Sequence, residues 1–157
     1  MSWSPSRSCF RRTCDPTTLA RRLADVRIAV PAGLIAVVAP IVARLRPESM
    51  QRVLEARLRP TRPLPCSDDR ALQIIDGLLW RAPWPVRNRC LVRGITAYRL
   101  LRGAGREVDL VFGARLVDGA FEAHCWLSDG SRVVHEKGSE PGFDEMFRLT
   151  GRGVLVA

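Results

Sequence analysis

The sequence predicts an α+β protein, and three observations lead there. Apolar residues recur at helical spacing through the first two thirds of the chain, ending at the glycines Gly103 and Gly105. From Glu107 the pattern switches to the two-residue alternation of strands, in "EVDLVFGARL" and again in "AFEAHCWLS". Two Asp-Gly signals, "VDGA" at 117–120 and "SDGS" at 128–131, mark hairpin turns between the alternating runs. Helices followed by an antiparallel meander define the class. The 157 residues, 46% apolar and 26% charged, suffice for a buried core and argue against disorder.

Taken in order, residues 1–16 read as a loose, polar and basic tail without the apolar run of a secretory signal. "DPTTLARRLADVRIAV" reads as a helix start: Asp15 or Thr17 caps it, Pro16 suits its first turn, and Leu19, Leu23 and Val26 follow at helical spacing. Residues 28–43 contain 16 uncharged residues in a row, interrupted by Pro31 and Pro40 and flanked by Arg27 and Arg44. That is short of the roughly 20 residues of a spanning helix. A buried helical hairpin or a kinked helix is expected, with a membrane-surface segment as the alternative.

A short amphipathic helix follows at residues 47–59, on Met50, Val53, Leu54 and Leu58. "PTRPLP", 60–65, is a linker, because three prolines in six residues cannot lie inside a helix. It divides the chain into a basic helical segment, 1–66, and a core, 67–157. Ser67 is placed to cap the next helix, with Asp68 and Asp69 in its first turn. After the rigid connector "PWPVRNR", a helix is expected to open near Cys90 and to end at Gly103 or Gly105. "SRVVHE" is the third strand.

Charge and cysteine usage narrow the classes. Residues 1–62 hold 12 arginines against 4 acids, whereas residues 63–157 carry a net charge of only +1. The basic segment lacks interleaved aromatics and any recognition motif, so no nucleic-acid partner is expected. A solvated arginine-rich face is its plain explanation. The five cysteines, Cys9, Cys14, Cys66, Cys90 and Cys125, are odd in number and form no C-x-x-C pair, so neither a zinc ribbon nor any other metal site is expected. Free thiols suit a reducing cytoplasm.

Three residues stand where chemistry is done. A thiolate at a helix start, as at Cys90, is stabilised by the helix dipole and by unpaired amides, with Arg87 and Arg89 adjacent. His124 lies in mid-strand. Glu136 ends the third strand, and in a tight hairpin centred on residues 129–130 it returns beside His124. Together they make a candidate Cys-His-acid triad. The plain alternatives are a small apolar cysteine and a structural histidine. Cys125 is the rival nucleophile, but strand alternation turns its side chain away from His124. Trp126 shares the face of His124, either packing the imidazole or serving the core.

The stretch "RCLVRGITAYRLLRGAGREVDLVFGARL…FEAHCWLSDGSRVVHE", about residues 78–140, resembles the transglutaminase-like cysteine proteases of lasso peptide biosynthesis, the leader peptidase or B protein family. That family shows a cysteine opening a Leu- and Arg-rich helix, then a strand pair with an A-H-A-W-like motif and a D-G hairpin. The resemblance implies a papain/transglutaminase-like core, with a nucleophile helix packed on an antiparallel meander and no cofactor. It implies Cys90 as nucleophile, His124 as base and Glu136 at the third position, where the family has aspartate; a glutamate keeps the charge but adds a methylene. Cys125 stands where the motif has alanine, a small change expected to carry no function. The implied activity removes the leader from a ribosomally made precursor peptide. A separate leader-binding protein presents the leader, and an asparagine-synthetase-like enzyme closes the macrolactam. The length and the helical N-terminal segment leave no room for a strand-rich leader-binding domain, so a split system is expected. The alternatives are acyl transfer to an amine on the same triad, and a non-catalytic scaffold in a peptide-modification complex.

Overall fold

The computed structural model describes residues 16–56, 63–83, 90–130, 132–134 and 142–156. Four helices precede a five-stranded antiparallel sheet: α1 (Pro16–Val42), α2 (Pro47–Glu55), α3 (Asp68–Arg81), α4 (Cys90–Gly103), β1 (Asp109–Val117), β2 (Ala120–Asp129), β3 (Arg132–Val133), β4 (Asp144–Thr150) and β5 (Gly153–Val156). The order across the sheet is β3-β2-β1-β4-β5. The α+β class is that expected from the sequence.

The first departure is α1. It is one continuous helix through Pro31 and Pro40 and not the hairpin that was one of the two expected forms. An internal proline removes one hydrogen bond and crowds the preceding turn, at about 3 kcal/mol. Offsetting that, Ile28, Ala32, Ala36, Ala39 and Val42 bury one continuous face against α3 and α4. Only that face is buried, so the apolar run is not a core helix on all sides. The amphipathic helix α2 ends at Glu55, and Leu58 lies outside the described residues.

α3 begins as expected, with the Ser67 hydroxyl accepting the Arg70 amide at 3.3 Å. Asp68 and Asp69 fill its first turn. α4 is the central element, lying between α1 and the sheet, and Ile95, Tyr98 and Leu101 are fully buried. Arginines tie it to its neighbours. Arg93 grips Asp76 of α3 with two hydrogen bonds of 2.6 and 2.9 Å. Arg99 donates to the Leu54 and Ala56 carbonyls at the end of α2. The Tyr98 hydroxyl donates to Glu55 at 2.6 Å. One hydrophobic core runs from Ala32 in α1 through Leu54 and Leu72 to Leu149 in β4, crossing the proline-rich stretch.

The β1–β2 hairpin turns on Asp118 and Gly119, both at positive φ (50° and 79°), as a type I′ turn requires. Its register, Leu110↔Leu127, Phe112↔Cys125 and Gly113↔His124, sorts the side chains. Leu110, Phe112, Cys125 and Leu127 share the face that α4 covers. Val111, Gly113, Trp126 and His124 share the other. The β2–β3 pairing is Ser128↔Val133 and Asp129↔Arg132, so the turn is centred on residues 130–131, one residue later than expected. Strands β4 and β5 extend the sheet beyond the expected meander, with β4 pairing on the free side of β1.

Candidate active site

Cys90 opens α4 and is half-buried. β3 pairs only with Ser128 and Asp129 of β2, so among the described residues β2 is an edge at His124 and Cys125. The start of α4 meets that edge. The Cys90 thiol is thereby held against both residues, and its pKa falls from 9.0 to about 5. Hydrogen bonding from the Cys125 side chain is the largest contribution, opposed by burial. The hydrogen bond and positive charge of His124 and the Cys125 backbone N–H add to it. At neutral pH the group is a thiolate, the form that attacks carbonyls.

The expected pair Cys90 and His124 is therefore brought together. Glu136 lies outside the described residues, as do Arg87 and Arg89. Cys125 is the rival sulfur of the sequence reading. It faces the helix, away from His124, as strand alternation requires, but it was expected to carry no function. In the structure its side chain is buried against α4 and contacts Cys90 directly. Gly94, one turn after Cys90, makes room for it: a Cβ there would stand 3.0 Å from the Cys125 Sγ and 2.9 Å from Leu110 Cδ1.

On the other face an aromatic frame surrounds the imidazole. Trp126 stacks with His124 at 6.3 Å between centroids, and Phe143 at 5.3 Å. The Arg115 guanidinium covers Phe143 at 4.4 Å and is itself paired with Glu122 at 2.7 Å. Trp126 lies over the backbone of Gly113, where a Cβ would come within 2.7 Å of the indole. A glycine inside a strand marks this kind of close approach, so Gly113 was legible as a signal. Phe143 was not, because it reaches the site from the far side of the sheet.

A thiolate, a histidine that stabilises it and a ring frame that fixes the histidine form the apparatus of covalent acyl chemistry. Among the described residues no three His, Cys, Asp or Glu side chains gather as a metal-binding set. The family model for the transglutaminase-like superfamily matches residues 33–148, from the middle of α1 into β4, and the chain belongs to that superfamily. Its members include cysteine proteases and acyltransferases. No curated protein and no solved structure matches the chain.

Proposed function

We propose that the chain is a cysteine peptidase that removes the leader from a ribosomally made, lasso-type precursor peptide. The observation that carries the catalytic half of this reading is the Cys90 thiol, held against His124 at the opening of α4 with its pKa lowered to about 5. The substrate half rests on the resemblance of residues 78–140 to the leader peptidases.

In this mechanism the Cys90 thiolate attacks the scissile carbonyl. Amides at the start of α4 donate to the oxyanion that forms. His124, as imidazolium, gives its proton to the leaving amine, and a thioester to Cys90 remains. His124 then takes a proton from water, and the hydroxide releases the acid and restores the thiolate. Glu136 orients the imidazole. Trp126 and Phe143 limit the motion of the ring, which keeps the proton donor in line with the scissile bond. A separate leader-binding protein presents the peptide in the cytoplasm, and an asparagine-synthetase-like enzyme consumes the freed amine.

The test is incubation of the protein with the precursor peptide and the leader-binding partner, read by mass. Leader release by wild type, and none by Cys90→Ala or His124→Ala, is expected. Release by Cys90→Ala and none by Cys125→Ala would assign the wrong sulfur. A product heavier by an added amine, with no free acid, would replace hydrolysis by acyl transfer.

A further inference from the structure

The face of α1 turned away from the core is apolar. Leu23, Val26, Val30, Leu34, Val37 and Ile41 follow one another at steps of three and four, each between 56% and 68% exposed. Those steps put all six on one stripe of the helix. Leu34 and Val38 also line a groove of about 240 Å³ with Val53 and Leu54, so the apolar surface continues onto α2. A stripe this long exceeds the scattered apolar residues of an ordinary surface and marks an interaction site.

Charge selects the occupant. Arg21 and Arg22 precede the stripe, Arg27 lies within it between Val26 and Val30, and Arg44 and Arg46 follow it, all exposed. None of the five is hydrogen-bonded or ion-paired to a described side chain. Asp25, the single acid within α1, is engaged by Arg70 of α3 at 2.8 Å. The surface therefore combines exposed apolar side chains with unneutralised cations at both ends. A second copy of the chain would set these cations against one another. An anionic bilayer answers both features: its acyl region takes the stripe and its headgroups take the guanidinium groups.

We infer that α1 seats the protein on an anionic lipid bilayer, lying in the plane of the membrane with the stripe immersed. It does not span the bilayer. The run Leu19–Val42 is long and apolar enough to cross one, yet its inner face holds Ile28, Ala32, Ala36 and Ala39 in the core with α3 and α4. Spanning would strip that face from the core. Because α4 lies between α1 and the sheet, a protein seated this way turns the His124 face of the sheet toward the aqueous side.

The experiment is co-flotation of the full chain with vesicles of phosphatidylcholine and phosphatidylglycerol at 3:1, against phosphatidylcholine alone, at low and high salt. Binding to the anionic vesicles, weakened by salt, is expected. Leu34→Glu with Val37→Glu should lower the partition coefficient at least tenfold, roughly, by placing two charges in the acyl region. Arg27→Gln with Arg44→Gln should lower it roughly tenfold on anionic vesicles only. All four positions are solvent-exposed, and an unchanged circular dichroism spectrum and melting curve confirms that the variants fold. Equal binding to both vesicle types, no binding, or indifference to the substitutions would overturn the seat. So would a concentration-dependent dimer in sedimentation velocity that Val37→Glu abolishes while vesicles stay unbound. Cys90 reactivity toward iodoacetamide serves as an internal readout: it is expected to be equal in all variants, which separates failure of the seat from failure of the catalytic reading.

Discussion

Replacing Cys125 by alanine should disarm the Cys90 thiolate without touching His124. The Cys90 pKa stands at about 5 instead of 9.0, and the Cys125 side chain is the largest single cause of that depression. A hydrogen bond to a charged partner contributes about 1.5–3 kcal/mol, and about 1.4 kcal/mol is one pKa unit. A thiol is a weak donor, which puts the effect toward the lower end, at about one to two units. Cys125→Ala should therefore raise the Cys90 pKa to roughly 6–7. For a value of about 6.5, the thiolate fraction at pH 5.5 falls from about three-quarters to about a tenth. The assay is the pH dependence of iodoacetamide alkylation, followed on the Cys90 peptide by mass so that the other cysteines do not interfere. Cys66, whose pKa burial pushes up, reacts slowly in the same range. Cys125→Ser restores a donor and should return the acid limb to about 5. An acid limb in Cys125→Ala that coincides with wild type would refute the reasoning, and so would a wild-type limb near pH 8.

Three further outcomes follow from the same geometry. A thiol whose pKa is depressed on folding adds stability that is complete above the unfolded value of 9.0 and is lost as pH falls through about 5. The urea-unfolding advantage of wild type over Cys90→Ala should thus grow with pH between those limits, and a flat difference would contradict the shift. Gly113→Ala drives a methyl into the Trp126 ring at 2.7 Å and toward the Asp144 carbonyl at 3.0 Å. It should cost about 1–3 kcal/mol in urea unfolding and lower kcat more than it raises KM, because His124 loses its support. Tyr98→Phe deletes the 2.6 Å hydrogen bond to Glu55 between α4 and α2, and thermal melting should report a loss of about 1–3 kcal/mol.

Much of this architecture was written locally in the chain. Ser67 ahead of two aspartates, Asp118-Gly119 between alternating runs, and Cys90 after a proline-rich connector each carry a short-range signal, and each stands where that signal put it. What escaped depends on distant partners. Pro31 and Pro40 read as breaks, but a helix is held by the face it buries, and α3 and α4 lie far along the chain. β4 pairs with β1 at separations of 30 to 39 residues, and the alternation of Met146, Phe147, Arg148 and Leu149 says nothing about which strand receives it. The case of Cys125 is finer. Alternation correctly turned its side chain away from His124, yet it fixes direction across the sheet and not distance to a third group. A helix start arriving at the edge of β2 reaches both neighbours at once.

In the proposed reaction Cys90 carries the acyl group during turnover. Acid-quenching the reaction with precursor peptide and mapping the modified cysteine tests it most directly. A thioester on Cys90 is expected, absent in Cys90→Ala, and longer-lived in His124→Ala supplied with an activated acyl substrate. A thioester on Cys125, or steady turnover by Cys90→Ala, would contradict it.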